Sequence, residues 1–121
     1  MVKGIGIDII EIKRIKNSID KNTKFLNRIF TKKEIEFFNK RKNNINTIAG
    51  NFAAKEAFSK ALGTGIKFSW NNIEILRDGS GKPYINLYDK AKNIFDNKRF
   101  KNCHISISHN KTQAIANCII E

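Results

Sequence analysis

Proline occurs once in this chain of 121 residues, and histidine and cysteine twice each. A single Pro and seven Gly exclude collagen-like and Pro-rich low-complexity chains. Two His exclude a His-rich metal centre, and no C-x-x-C, H-E-x-x-H or Walker-type phosphate loop announces a zinc or nucleotide site. No apolar run reaches the ~18–20 residues that a membrane helix needs. The charged N-terminal segment also lacks the apolar stretch and small-residue cleavage site of a secretory signal. A soluble, cytoplasmic protein without a membrane partner is therefore expected. In that reducing compartment Cys103 and Cys118, expected on neighbouring strands of one hairpin, are read as buried free thiols rather than a disulfide. Acidic residues are the remaining shortage: 11 Asp and Glu face 23 Lys and Arg, leaving a formal charge of +12.

With 40% hydrophobic and 28% charged residues, the composition is that of a globular domain, and the length predicts one domain over residues 1–121. The surplus of positive charge concentrates an anionic partner before contact. Nucleic acid, anionic lipid, a polyphosphate metabolite and an acidic protein all meet that description. Residues 1–60 carry 14 of the basic side chains against 6 acidic ones, which makes the first half the expected face for a large anion.

Val2 to Ile10 alternates as a strand, with Ile5, Ile7 and Ile9 on one face and Gly4, Gly6 and Asp8 on the other. Two positions without side chains beside a carboxylate leave room for a ligand over the strand, although Asp8 also reads as a strand-end cap for the helix that follows. That helix is expected from Glu11 to Lys21, with Ile12, Ile15 and Ile19 at helical spacing. Thr31 and Glu34 make a T-x-x-E capping box opening a second helix that carries Ile35 and Phe38 inward. Asn46 to Leu62 predicts a third, rich in small residues and ended by Gly63, with Gly63-Thr64-Gly65 offering unobstructed backbone amides. Strands are expected at Ile73–Leu76 and Pro83–Leu87 around the Asp78–Gly81 turn. A short helix carries Leu87, Ala91, Ile94 and Phe95. Cys103–Ser108 and Thr112–Ile120 close the chain as a hairpin turning at His109-Asn110-Lys111. The fold class is α+β, an antiparallel-rich sheet packed against helices.

Phe52, Glu56 and Lys60 are spaced by four, so carboxylate and ammonium share one helix face. On its own this is an exposed ion pair worth ~0.3–0.5 kcal/mol. Read together, Asp8, Glu56 and the lysines are hard oxygen ligands and phosphate partners, which brings Mg²⁺-dependent phosphoryl chemistry within reach as one option.

Longer motifs are more specific. Gly4-Ile5-Gly6-Ile7-Asp8-Ile9-Ile10-Glu11 through Arg14-Ile15, Arg28-Ile29-Phe30-Thr31 with Glu34, Phe52-Ala53-Ala54-Lys55-Glu56-Ala57 through Ile66, Gly81-Lys82-Pro83 and Ser106-Ile107-Ser108-His109 occur in that order along the chain. Together they resemble the bacterial holo-acyl-carrier-protein synthases, the small 4′-phosphopantetheinyl transferases. The resemblance implies a compact, trimeric fold and transfer of phosphopantetheine from coenzyme A to a serine of an acidic acyl carrier protein, releasing adenosine 3′,5′-bisphosphate. It implies Mg²⁺ on Asp8 and Glu56, and Lys60 on the phosphates. Gly63, Thr64 and Gly65 would lie against the coenzyme, Lys82, Pro83, Ser108 and His109 would meet its nucleotide end, and Lys40 and Arg41 its 3′-phosphate. Arg14, Lys21, Lys24, Phe25 and Arg28 would receive the carrier. The general base stays open between Glu56, a metal-bound water and His109. Where the family usually carries Arg, this chain has Asn51; if that position touches phosphate, Asn51→Arg lowers the KM for coenzyme A. Two other readings remain, a silent carrier-binding relative and a basic nucleic-acid-binding module, the latter opposed by Phe residues at core spacing.

Overall fold

The computed structural model describes residues 1–121. It begins with strand β1 (Gly4–Glu11), which runs straight into α1 (Ile12–Lys21). Two short helices follow, α2 (Phe25–Ile29) and α3 (Lys32–Lys40), and then the long α4 (Ile45–Leu62). A 3₁₀ turn at Trp70–Asn72 leads into β2 (Ile73–Arg77) and β3 (Pro83–Leu87). Helix α5 (Asp89–Asn97) precedes the closing hairpin of β4 (Cys103–His109) and β5 (Gln113–Ile120). All pairings are antiparallel, in a three-stranded sheet of order β1-β5-β4 and a separate β2-β3 ribbon. The α+β expectation holds, with the sheet divided in two.

Helix α4 organises this arrangement. Its apolar residues surround it because it is buried on nearly every side, between the three-stranded sheet, α1 and β2. Gly63, at φ 87°, ends it in the left-handed conformation that favours glycine. Asn44 caps its start by accepting from the Asn46 amide. At α3 the expected capping box is present, and Phe38 points inward as read. Ile35 is half-buried, and the second fully buried residue of that helix is Glu34 itself.

The glycine face of β1 corrects one expectation. A Cβ on Gly4 would collide with the carbonyl oxygen of Ala61, and one on Gly6 with that of Ala57. The helix backbone fills the space that looked free for a ligand, so these glycines permit strand-on-helix contact. Asp8, next on that face, emerges just beyond the contact.

On the opposite face Ile5, Ile7 and Ile9 are 67%, 54% and 57% exposed. The strand register extends this face through Ile115 and Asn117 to His104, Ser106 and Ser108. Cys103 and Cys118 are free thiols with sulfurs 3.3 Å apart, Cys118 buried and Cys103 partly so. No helix is long and apolar enough to cross a membrane.

Candidate active site

Asp8 leaves β1 one residue pair past the glycine contact, and Glu56 leaves α4 one turn before Lys60. Both carboxylates line a cleft of about 250 Å³ that is otherwise walled by Ile9, Ile10, Ile15, Phe25 and Phe52, with Arg14 and Ser18 also lining it. Phe52 stacks between Phe25 and Trp70, at ring separations of 6.4 and 4.9 Å, so one wall is a continuous aromatic surface. The cleft thus joins an acidic corner to an apolar wall.

Lys60 does not form the exposed pair with Glu56 that their spacing allows. Its Nζ donates to the Ile7 carbonyl at 3.0 Å and lies 3.4 Å from Asp8 Oδ1. Burial raises the Asp8 pKa from its ordinary value, and Lys60 only partly offsets it. Glu56 is raised by burial and then by the charge of Asp8, with Lys60 again opposing. Two desolvated carboxylates that repel one another favour a cation between them. No third His, Cys, Asp or Glu joins them. Such a donor set, two hard oxygen ligands beside an open cleft, suits Mg²⁺, which takes its remaining ligands from phosphate and water. Asp8 is not the cap of α1: that position is Glu11, whose side chain makes no capping bond.

The other expected site residues fall in separate places. Gly63, Thr64 and Gly65 follow α4 past Lys60, but their amides are not free: Gly63 donates to the Lys60 carbonyl, and Thr64 and Gly65 both donate to that of Ser59. Satisfying the last carbonyls of the helix consumes those donors, which corrects the reading of this loop as an amide cradle. What it offers is open space at Gly65, where an added Cβ would meet nothing. Arg14 and Phe25 line the cleft, with Lys21, Lys24 and Arg28 exposed on the same α1–α2 segment. Lys82 and Pro83 stand at the turn end of the β2-β3 ribbon, where Pro83 pairs with Arg77, whose Cζ is near Phe37 of α3 as is that of Arg41. Ser108 shares the outer sheet face with Ile9, and His109 is exposed at the end of β4. That face is turned away from Asp8, so one chain does not bring Ser108 to the carboxylates.

Asn51 is wholly buried. Its Nδ2 donates to Glu34 Oε2 at 3.1 Å and to the Ile75 carbonyl at 2.9 Å, while its Oδ1 accepts from Arg77 at 2.9 Å. Asn51 therefore packs inside the protein with both amide donors used, so it offers none to a phosphate. Lys55 cannot compensate either, because its ammonium is buried against Glu34 at 2.6 Å and donates to the Ile29 and Trp70 carbonyls. The sequence reading missed Phe52 as a cleft wall and Arg77 as a half-buried cation held by Asn51; the i, i+4 step from Phe52 to Glu56 was the available signal for the first.

A family model described as the 4′-phosphopantetheinyl transferase superfamily matches residues 4–118. The chain belongs to this superfamily. Among its transferase relatives, a holo-[acyl-carrier-protein] synthase of Clostridium botulinum (strain Alaska E43 / Type E3) is 58% identical, with 100% of this chain and 98% of the relative covered. The crystal structure of the synthase from Neisseria meningitidis superposes with a TM-score of 0.93 at 35% identity, covering 100% of this chain and 99% of that one. The Helicobacter pylori synthase, solved in complex with coenzyme A, gives 0.86 at 37% identity over 97% and 99% of the two chains. The matched residues thus take in β1, α1, α2 and α4, which line the cleft.

Proposed function

We propose that this chain is a cytoplasmic holo-[acyl-carrier-protein] synthase, acting as one transferase unit over residues 1–121. It moves 4′-phosphopantetheine from coenzyme A to a serine of an acidic acyl carrier protein, in support of fatty acid synthesis. The observation that carries this is the pair of desolvated carboxylates, Asp8 and Glu56, at the wall of a cleft shared with Arg14 and Phe25.

Asp8 and Glu56 would hold Mg²⁺, whose charge, when bound, offsets the negative charge developing on the coenzyme's pyrophosphate. Lys60, anchored on the Ile7 carbonyl, is placed to hold the same phosphates. The serine oxygen forms a bond to the phosphorus that carries pantetheine, and the bond from that phosphorus to adenosine 3′,5′-bisphosphate breaks. Glu56 is the base this chain supplies inside its own cleft, since burial keeps its proton affinity high. Phe25 and Phe52 exclude water beside the acceptor. Arg14, Lys21, Lys24 and Arg28 speed encounter with the acidic carrier more than they tighten the complex.

The exposed isoleucines of β1 support a homotrimer. In such an assembly Ile5, Ile7 and Ile9 are covered, and Ser108 and His109 of one copy are free to complete the site of another. The site is then shared between copies rather than contained in one.

The decisive experiment measures the intact mass of apo acyl carrier protein after incubation with this protein, coenzyme A and Mg²⁺. A gain of about 340 Da, the mass of the transferred group, is expected. It should vanish with Glu56→Gln and with a chelator. Absence of the gain with several carriers would remove the transferase reading, and tight, saturable nucleic-acid binding at physiological salt would favour the basic binding module instead.

A further inference from the structure

Lys55 is the only buried lysine of the chain. Its ammonium donates to the Ile29 carbonyl at 2.7 Å, to Glu34 Oε1 at 2.6 Å and to the Trp70 carbonyl at 3.3 Å, with the Phe30 ring centroid 4.9 Å away. An ammonium has three N–H groups, and all are used. No donor is left for a substrate, so whatever this side chain does for the reaction it does through what it holds.

The three acceptors come from three elements. Ile29 closes α2, Glu34 stands in the first turn of α3, and Trp70 opens the 3₁₀ turn. Five residues are too few for α2 to persist alone, and its last carbonyls have no partner within the helix. Lys55 takes one of them. Helix α2 bears Phe25 and Arg28, with Lys24 at its N-cap. Phe25 stacks on Phe52, and Phe52 on Trp70. One ammonium therefore grips both ends of the aromatic wall from the helix that carries its middle ring. Neighbouring helix residues are ~100° apart, so Lys55 reaches α2 and α3 while Glu56 turns into the cleft.

Glu34 supplies the counter-charge and is itself fixed. One oxygen accepts from Lys55 and the Thr31 amide, the other from Asn51 and the Ile75 amide. Buried pairs of this kind add little net stability over apolar residues of similar volume. What this pair adds is direction, because apolar side chains of the same size would fill the space without tying α2 and the Trp70 turn to α4.

We propose that Lys55, with Glu34 as its counter-charge, is the positioning residue of the carrier-receiving side of the cleft: it sets α2 and the Phe25-Phe52-Trp70 wall against Glu56, and acts on acceptance of the carrier rather than on binding of coenzyme A. This rests on the carrier-protein reading of the chain.

The test compares the full-length wild type with Lys55→Met and with the double variant Lys55→Met, Glu34→Gln. The double variant removes both buried charges together and keeps a capping-box residue at position 34. Phe58→Leu, in the other core cluster, is the destabilised control. Steady-state transfer to apo acyl carrier protein gives its KM and kcat, and calorimetry gives the affinity for coenzyme A. Acrylamide quenching of Trp70, the only tryptophan of the chain, reports the wall without turnover. All are measured below the lowest melting temperature of the set.

In both Lys55 variants the KM for the carrier should rise about tenfold or more, the scale of a displaced positioning contact. Coenzyme A affinity should be unchanged, kcat should move less than KM, and Trp70 should become easier to quench. Phe58→Leu should melt earlier and alter none of these. An unchanged carrier KM or unchanged quenching in a folded Lys55 variant would overturn the proposal. So would parallel losses for carrier and coenzyme A, or the same KM rise in Phe58→Leu. Failure of both Lys55 variants to fold would make the residue a requirement of folding instead, and also overturns it. If wild type modifies no carrier, the parent reading has failed; normal transfer by wild type with an indifferent Lys55 sinks this proposal alone.

Discussion

At the scale of single residues, Asp8 and Glu56 are held against their own ionisation. Their carboxyls keep protons to higher pH in the folded chain than in the unfolded one, so the contribution of these two groups to stability is greatest in acid. It falls as pH rises from the ordinary carboxylate range, near 4, through the raised folded values. Asp8→Asn should therefore raise the melting temperature at neutral pH while lowering turnover at least ~100-fold, the scale of a lost electrostatic contact in the transition state. Mg²⁺ at 100 times its Kd should stabilise wild type by about 2.7 kcal/mol. That gain should be absent from Asp8→Asn in thermal scans, and an equal gain in both proteins would remove the metal from these carboxylates. Both residues were legible in sequence because their motifs are specific. The burial of Asn51 was not legible, because nothing in a linear motif tells whether a position on α4 faces the solvent or the β2-β3 ribbon.

Among the elements, α1, α3, α4 and α5 and all five strands follow from period and punctuation, with boundaries displaced by only a residue or two. Helix α2 did not, since five residues give no periodicity and its start has no side-chain cap. It is held instead by a buried ammonium. Lys55 of α4 donates to the Ile29 carbonyl of α2 and pairs with Glu34 of α3, beneath the ring of Phe30 at 4.9 Å. The capping box gave Glu34 one role in the sequence and no sign of this second one. Removing one partner of such a pair leaves a buried charge alone, so Glu34→Gln should destabilise the protein by about 3–5 kcal/mol in urea titrations. A loss under ~1 kcal/mol, as for an exposed pair, would show that solvent reaches the site. Glu74 makes a parallel tie: Thr31, Asn86 and Tyr88 all donate to it, joining the start of α3 to the ribbon, and these bonds hold its pKa down despite burial.

For the whole molecule, the charge of +12 and the isoleucine face make different demands. The charge acts at a distance and is screened beyond ~8–10 Å at physiological salt. The kcat/KM for an acidic carrier should consequently fall several-fold between low and physiological salt, with kcat steady; insensitivity to salt would deny the basic face its steering role. In the proposed homotrimer the isoleucine face would act by contact. Ile7→Lys should shift the protein to monomers in sedimentation and depress activity, with the helical circular dichroism kept. If the variant remains oligomeric, assembly uses another surface.

The meeting of Gly4 and Gly6 with the carbonyls of Ala57 and Ala61 also governs how the site tolerates change elsewhere. Strand and helix touch there main chain to main chain, so the gap between Asp8 and Glu56 is gauged by peptide groups whose dimensions are the same in every protein. Variation in the bulk of Phe58 or Ile73, on the far side of α4, is then absorbed without resetting that gap. Such changes in the interior are free to drift, trading thermal stability up or down, while the machinery at the cleft keeps its calibration; the two glycines themselves cannot follow, because a single methyl group would prise the gauge apart.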